Sequence, residues 1–138
     1  MGVDKERETM RVLIVEDDTA SRFVLQTLLS RYGQCDVAGN GKKAVEAFLA
    51  ARDEGQKYDL ICMDIMMPEM DGQTAVRTIR SHEAAAGFVT RGVKIIMTTA
   101  LGDLASINTA FEGMCDAYLK KPVNLSRLTE EMRKLELV

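Results

Sequence analysis

The chain has 138 residues, 46% of them hydrophobic, which is the size and composition of one domain with a continuous core rather than of two domains. Its 18 basic and 21 acidic residues give a formal net charge of -3, so we expect no direct nucleic-acid binding, because no broad cationic surface is available. Its apolar runs fall well short of the roughly 20 residues of a membrane span, and residues 1–10 are charged where a signal peptide is apolar, so we expect a cytoplasmic protein that does not enter the membrane.

Strands and helices alternate along the chain. The predicted strands are short runs of mainly apolar residues, at 11–15, 35–38, 58–63, 93–97 and 116–119. The predicted helices carry apolar residues at helical spacing, at about residues 20–32, 44–49, 73–86, 104–113 and 125–135. Gly33 is interpreted as the stop signal of the first helix, and Asn40-Gly41 as a turn that leads into the second. Residues 1–9 are predicted to be a polar N-terminal tail, followed by a single domain at 10–138.

The order of these elements predicts an α/β fold. The first strand, RVLIV, has no alternation of apolar and polar residues, as expected for a strand that is buried on both faces of a parallel sheet. Strands that alternate with helices form such a sheet through right-handed crossovers, with helices on both faces. We therefore predict a doubly wound, five-stranded parallel sheet. The segment 81–92 is long for a connection, so either the third helix extends or the loop is elaborated.

Polar side chains stand at the carboxyl ends of four predicted strands. In chain order they are Glu16, Asp17 and Asp18, then Asp64, then Thr98 and Thr99, then Lys120 and Lys121. In an open doubly wound sheet, ligands bind beyond these ends, where the connections diverge. The four groups should therefore meet at one edge of the sheet. Of the two threonines, Thr99 is the predicted site hydroxyl, and Thr98 is interpreted as a packed strand residue.

The carboxylates of this set predict a metal-assisted phosphoryl acceptor. Glu16, Asp17 and Asp64 would repel one another in a shared cleft unless a cation is present, and hard oxygen ligands suit Mg²⁺ or Mn²⁺. A carboxylate beside such a metal can attack phosphorus and form an aspartyl phosphate. Lys121 would balance the charge, and a threonine hydroxyl would donate to a phosphoryl oxygen. Taken alone, each of the acidic residues also fits a cap of a helix or loop, and Asp18 is interpreted as such a cap.

Four motifs resemble one known family. VEDD, DLICMDIMMPEMDG, TTA and KKPV, in this order, are similar to the receiver domain of bacterial two-component response regulators, over about residues 10–136. The resemblance implies a flavodoxin-like receiver fold. It implies that Asp17 binds the metal directly and that Glu16 acts through water, with further ligands from Asp64 and from the backbone carbonyl of Met66. Asp64 is also the implied phospho-acceptor.

The resemblance further implies how a signal spreads and between which partners. Thr99 matches the switch threonine, Tyr118 the switch aromatic residue and Lys121 the lysine that assists catalysis. The bond from Lys121 to Pro122 is implied to be cis. Phosphorylation of Asp64 would draw Thr99 inward and let Tyr118 rotate, which changes the surface of the fourth helix, fifth strand and fifth helix. The implied partners are a sensor histidine kinase or phosphotransfer protein of a phosphorelay, a downstream protein target, and a second copy in a phosphorylation-dependent dimer.

Several alternatives stand beside this hypothesis. The chain is either a stand-alone regulator or the receiver of a longer output-domain regulator or hybrid kinase. A metal-dependent phosphatase that forms an aspartyl phosphate is expected to carry a second Asp two residues after the first, where Met66 stands, so we expect a signalling domain that catalyses only its own phosphorylation and dephosphorylation. A nucleotide-binding module would need a Gly-rich loop after the first strand, where EDDTAS stands. Met66 and Leu101, which the resemblance places beside the path of the attacking water, cannot orient it, so we expect slow self-dephosphorylation.

Overall fold

The computed structural model describes residues 10–65, 67, 70–87, 92–100 and 114–138, and it contains the predicted parallel sheet. The five strands of this sheet are β1 Met10–Val15, β2 Gly33–Ala38, β3 Leu60–Asp64, β4 Lys94–Thr99 and β5 Ala117–Lys120. They lie in the order β2-β1-β3-β4-β5, and every neighbouring pair is parallel. The prediction of the fold class is confirmed. This strand order places the topological switch point beside β1 and β3, where a ligand site is expected.

Four helices lie within the described residues: α1 Thr19–Leu29, α2 Gly41–Asp53, α3 Gly72–Ala85 and α4 Leu125–Lys134. Each follows an Asp or Asn whose side chain accepts a hydrogen bond from a backbone N–H of the first turn, and these caps are Asp18, Asn40, Asp71 and Asn124. The interpretation of Asp18 as a cap is thus confirmed. The helix predicted at 104–113 lies outside the described residues, so the helix predicted as the fifth is α4. None of the described helices is long and apolar enough to cross a membrane.

Side chains of the strands fill a core on each face of the sheet. One face packs against α2 and α3, with the buried residues Leu13, Val15, Phe48, Ile61, Met63, Ile79, Ile95 and Met97. The other face packs against α1 and α4, with the buried residues Val12, Ile14, Leu25, Leu29, Cys62, Ile96, Leu119 and Leu128. Because both sides of β1, β3 and β4 are covered, their sequences carry no alternation of apolar and polar residues.

The boundary between α1 and β2 differs from the prediction. The helix ends at Leu29 instead of residue 32, and Gly33 opens β2 rather than stopping the helix. A Cβ at Gly33 would overlap the backbone of Met10, so glycine is needed there because β1 and β2 approach closely. In the segment 81–92, which is long for a connection, α3 ends at Ala85, and residues 88–91 lie outside the described part of the chain. Residues 1–9, the predicted tail, also lie outside it.

Candidate functional site

The polar residues predicted at the strand ends meet at the carboxyl edge of the sheet. At the ends of β1, β3, β4 and β5 stand Glu16, Asp64, Thr99 and Lys121, in that order. The backbone joins two of these ends directly, since the N–H of Lys121 donates to the carbonyl oxygen of Thr99 at 2.7 Å. The peptide bond between Lys121 and Pro122 is cis, as the resemblance implies. The fold therefore brings the predicted groups to one place.

The ammonium of Lys121 lies between two buried carboxylates. Its Nζ is 2.7 Å from Oε2 of Glu16 and 3.4 Å from Oδ2 of Asp64. The side chain of Glu16 is fully buried, and that of Asp64 is only 8% exposed. Oε1 of Glu16 also accepts a hydrogen bond from the backbone N–H of Asp18 at 3.2 Å. Since negative charge out of water is costly unless it is paired, Lys121 stabilises both acids.

Burial and pairing act in opposite directions on the pKa values of Glu16 and Lys121. Burial raises the pKa of Glu16, the negative charge of Asp64 adds to this, and the hydrogen bond from Lys121 offsets only part of it. Burial alone would lower the pKa of Lys121, but the hydrogen bond to Glu16 and the charge of Asp64 outweigh it and raise that pKa. The amine of Lys121 is thus held in its charged form.

Three carboxylates of the site are close enough to share one cation. One oxygen from each of Glu16, Asp17 and Asp64 lies within 4.8 Å of the others. Asp17 is exposed while the other two are buried, so the cluster is open to solvent on the Asp17 side. This all-oxygen donor set fits Mg²⁺ or Mn²⁺, which retain water ligands beside a small number of carboxylates. Met66, whose carbonyl is a predicted further ligand, lies outside the described residues.

The start of α3 fixes the backbone around Asp64. Asp71 caps this helix, and the N–H of Gly72 donates to the carbonyl of Ile65 at 2.9 Å. A Cβ at Gly72 would overlap the carbonyl oxygen of Asp64 and would lie 2.9 Å from Cε of Met97, so only glycine fits at this position. Gly72 is thus a structural part of the site that the sequence analysis missed, because glycine after Asp in a loop gives no sign of what it touches.

The two predicted switch residues lie on adjoining strands. Thr99 is fully buried at the end of β4, two residues after Met97 and therefore on the same face of that strand. Tyr118 of β5 pairs with Met97 and packs, partly buried, on the face that α2 and α3 cover. Burial and a hydrogen bond with Cys115 raise the pKa of Tyr118. The sequence analysis did not predict Cys115 as a neighbour of Tyr118, since Cys115 lies outside β5, two residues before the strand begins.

An apolar surface adjoins the site. Phe23 and Val24 of α1 are 69% and 43% exposed. Beside them lies a groove of about 250 Å³, which is lined by Ser21, Val24, Leu25, Lys121, Pro122 and Val123. Because Lys121 lines the groove and also reaches Asp64, the groove lies next to the carboxylate cluster. Exposed apolar residues that cluster in this way are typical of interaction sites.

Comparison with known proteins identifies the family. The family model of the response regulator receiver domain matches residues 12–133, so the chain belongs to that family of signalling domains. Chemotaxis protein CheY of Thermotoga maritima is 34% identical over 128 residues, which cover 91% of this chain and 96% of CheY.

Two solved receiver domains are similar in structure as well as in sequence. The receiver domain of the histidine kinase CKI1 from Arabidopsis thaliana, complexed with Mg²⁺ and BeF3⁻, has a TM-score of 0.79 at 29% identity, covering 97% of this chain and 95% of that one. The receiver domain of Ssk1 from Saccharomyces cerevisiae, crystallised with the histidine phosphotransfer signalling protein Ypd1, has a TM-score of 0.77 at 31% identity, covering 92% and 88%. Other relatives are longer: the chain spans only 4% to 47% of the histidine kinases and the probable transcriptional regulator that it also matches.

Proposed function

We propose that the chain is a phosphorylation-controlled switch, which accepts a phosphoryl group on Asp64 from a phosphohistidine donor. The observation that carries the proposal is the setting of Asp64. It is the last residue of β3, its Oδ2 lies 3.4 Å from the Lys121 ammonium, and its carboxylate is clustered with those of Glu16 and Asp17. A carboxylate oxygen, the Lys121 ammonium and a cluster of carboxylates suited to a metal ion thus meet at one point, which supports the proposal.

Transfer to Asp64 is a balanced substitution at phosphorus. A carboxylate oxygen of Asp64 forms the new P–O bond while the bond from phosphorus to the donor imidazole nitrogen breaks, and that nitrogen keeps the electron pair. Glu16, Asp17 and Asp64 would hold Mg²⁺ or Mn²⁺, which would supply positive charge to offset the negative charge of the phosphoryl oxygens. The Lys121 ammonium, which already contacts Asp64, is placed to donate to one of these oxygens.

Thr99 and Tyr118 are proposed to transmit the change. A phosphoryl group adds about -1.5 to -2 of charge, which would attract a donated hydrogen bond from the Thr99 hydroxyl. Movement of Thr99 would leave space for Tyr118, and the placement of both residues on the face of the sheet that Met97 shares supports this coupling. The changed surface of β5, α4 and the segment 104–113 would then bind a downstream protein target or a second copy of the chain.

The donor is proposed to dock on the groove beside α1. A donor must bring its imidazole within bonding distance of Asp64, so it must contact the surface around Lys121. Phe23 and Val24 offer exposed apolar area there, next to the groove. A histidine kinase or a phosphotransfer protein, the kind of partner crystallised with the Ssk1 receiver, fits this role. Residues 10–138 are proposed to form the receiver unit, behind a polar tail at 1–9, whether the unit acts alone or within a longer protein.

Acetyl phosphate with Mg²⁺, followed by intact mass measurement and peptide mapping, tests the acceptor. The wild type should gain one phosphoryl group on the peptide that contains Asp64, and chelation of the metal should abolish this. The adduct should decay over hours rather than seconds, given the predicted slow self-dephosphorylation. Asp64→Asn should gain nothing, whereas Asp53→Asn, which changes an exposed aspartate at the end of α2, should react like the wild type. An unmodified wild type, or an adduct that persists in Asp64→Asn, would refute the proposal.

A further inference from the structure

Thr98 is a buried hydroxyl whose hydrogen bonding is incomplete. Its side chain is fully buried near the end of β4. Within the part of the chain that the structure describes, its Oγ1 has no hydrogen-bond partner. A buried hydroxyl without a partner costs free energy, which a valine of the same shape would avoid. The sequence analysis interpreted Thr98 as an ordinary packed strand residue, and such a residue would not need the hydroxyl.

The strand register places Thr98 beside the acceptor residue Asp64. Thr98 pairs with Asp64 on one side and with Leu119 on the other. Paired residues of a parallel sheet project to the same face, so Thr98 and Asp64 share the face that α1 and α4 cover. Lys121 follows Leu119 by two residues, and its ammonium returns to Asp64 at 3.4 Å. Thr98 therefore lies on β4, between the strand that carries the acceptor and the strand that leads to the lysine.

A hydroxyl is suited to this position because it can accept from one group and donate to another at the same time. An ammonium is a donor only, with three N–H groups, and the oxygens of a carboxylate are acceptors only. In the described state, the ammonium of Lys121 faces Glu16 at 2.7 Å and Asp64 at 3.4 Å. A cation shared by the carboxylates would compete with this ammonium for Glu16 and Asp64, and the ammonium would then need another acceptor.

We propose that Thr98 is a positioning residue of the acceptor site, whose hydroxyl bridges the Lys121 ammonium and an oxygen carried by Asp64 when the site is loaded. This inference rests on the proposed phosphoryl-acceptor function. It explains why a hydroxyl stands unpartnered in the described state: its partners are brought into place by loading. It also separates the two adjacent threonines, since Thr99 lies on the opposite face of β4 and Thr98 acts through Lys121.

A purely structural role makes a different prediction. Threonine is β-branched and suits a strand whatever its hydroxyl does. If packing were its only role, Thr98→Val would be at least as stable as the wild type, with and without ligand, and would bind the ligand equally well. The bridging role predicts that Thr98→Val keeps or gains stability in the free protein but binds a phosphoryl mimic less tightly. The informative quantity is therefore the difference between the effect of Thr98→Val on the free protein and its effect on the loaded protein.

The experiment measures binding of beryllofluoride in the presence of Mg²⁺, together with thermal unfolding of the free and loaded protein. Thr98→Val should bind about tenfold more weakly, the loss expected for a hydrogen bond to a charged group. Thr98→Ser, which keeps the hydroxyl, should bind within about threefold of the wild type. Ile96→Val is the matched control: it trims a fully buried side chain on the same strand and face, and should lower the unfolding temperature without changing affinity.

Two results would overturn the inference while leaving the acceptor function intact. One is wild-type affinity in Thr98→Val. The other is an equal loss in Thr98→Ser and Thr98→Val, which would assign the effect to packing of the methyl group. If the wild type itself binds no beryllofluoride, the proposed function fails, and the inference fails with it.

Discussion

Replacement of Gly72 by alanine tests whether the contact between α3 and β3 sets the acceptor geometry. The new Cβ would overlap the carbonyl oxygen of Asp64 and would lie 2.9 Å from Cε of Met97 and 3.0 Å from Cα of Ile65. The tip of Met97 can move aside, but the two backbone atoms belong to the end of the acceptor strand. Carbon atoms in contact prefer about 3.5 Å or more, so α3 and the end of β3 must separate by about 0.5 Å or more.

The free-energy cost of this separation can be estimated. Overpacking of a well-packed interior costs about 1–3 kcal/mol, and replacing glycine by alanine in a helix returns at most about 1 kcal/mol. We therefore expect Gly72→Ala to lower the free energy of unfolding by about 1–2 kcal/mol, as measured by urea denaturation. Because the displaced backbone carries Asp64, phosphorylation by acetyl phosphate should also slow, by about tenfold or more.

Gly39→Ala is the control for this prediction. A Cβ at Gly39 would meet no atom within 4 Å, and its backbone is not left-handed. Its stability should stay unchanged or rise by up to about 1 kcal/mol, since alanine restricts the unfolded chain. Its phosphorylation rate should match the wild type. If Gly72→Ala behaves like Gly39→Ala in both stability and rate, the contact does not set the site and the reasoning above is refuted.

Three further predictions concern regions away from the site. Arg80→Met should lower the free energy of unfolding by about 3 kcal/mol in urea denaturation, because the buried carboxylate of Glu83 loses its 2.7 Å partner Arg80 Nη1. Glu136→Gly should raise the same free energy by about 1 kcal/mol, because Glu136 has a left-handed backbone with φ of 61°. Tyr58 donates to Asp36 at 2.6 Å, and burial and this hydrogen bond raise the pKa of Tyr58 from 10.0 to about 12. The neutral tyrosine therefore contributes stability that is full below the lower value and lost as pH rises through the higher one, so the wild type should lose stability more steeply than Tyr58→Phe in this window.

Two matched variants distinguish these predicted effects from general destabilisation of the protein. Lys134→Met removes exposed ion pairs at 3.5 and 3.6 Å and should change stability by at most about 0.5 kcal/mol. Gly55→Ala puts a side chain where φ is 74° and should destabilise by about 1 kcal/mol, the reverse of Glu136→Gly. Equal losses of stability in Arg80→Met and Lys134→Met would contradict the first prediction. A destabilised Glu136→Gly would contradict the second. Coinciding pH profiles of Tyr58→Phe and the wild type would contradict the third.

The site at the strand ends could be predicted from the sequence because it depends on which residues directly follow each strand. Asp64 closes an apolar run that must be buried, and Lys121 follows the short fifth strand, so a parallel sheet brings both to one edge. The caps of the helices are equally local, since Asp18 and the N–H that it accepts from lie three residues apart. Periodicity and spacing were sufficient to predict these features, and the family motifs then indicated a role for each side chain of the site.

Contacts between distant segments could not be predicted in this way. The sequence predicts Gly33 as a helix stop, but glycine is required there because the backbone of Met10 lies close to it on the neighbouring strand. Gly72 is required by the carbonyl of Asp64, on another element. Thr98 is predicted as a packed strand residue, and only the register shows that it pairs with Asp64. Each depends on how closely two elements approach, which no local pattern encodes.

The charge balance of the site connects its burial to its proposed use as a switch. Glu16, Asp17 and Asp64 bring three carboxylates, and Lys121 supplies one ammonium, which contacts Glu16 and Asp64. The raised pKa of Glu16 is the effect of keeping this excess of negative charge out of water. In the proposed function, a bound divalent cation would add about two units of positive charge to the site, and a phosphoryl group would add about two units of negative charge. The ends of β1 and β3 are packed on both faces. Under the proposed function, we therefore expect the response to fall on the side chains of Lys121 and Thr99, through which the signal would leave the site.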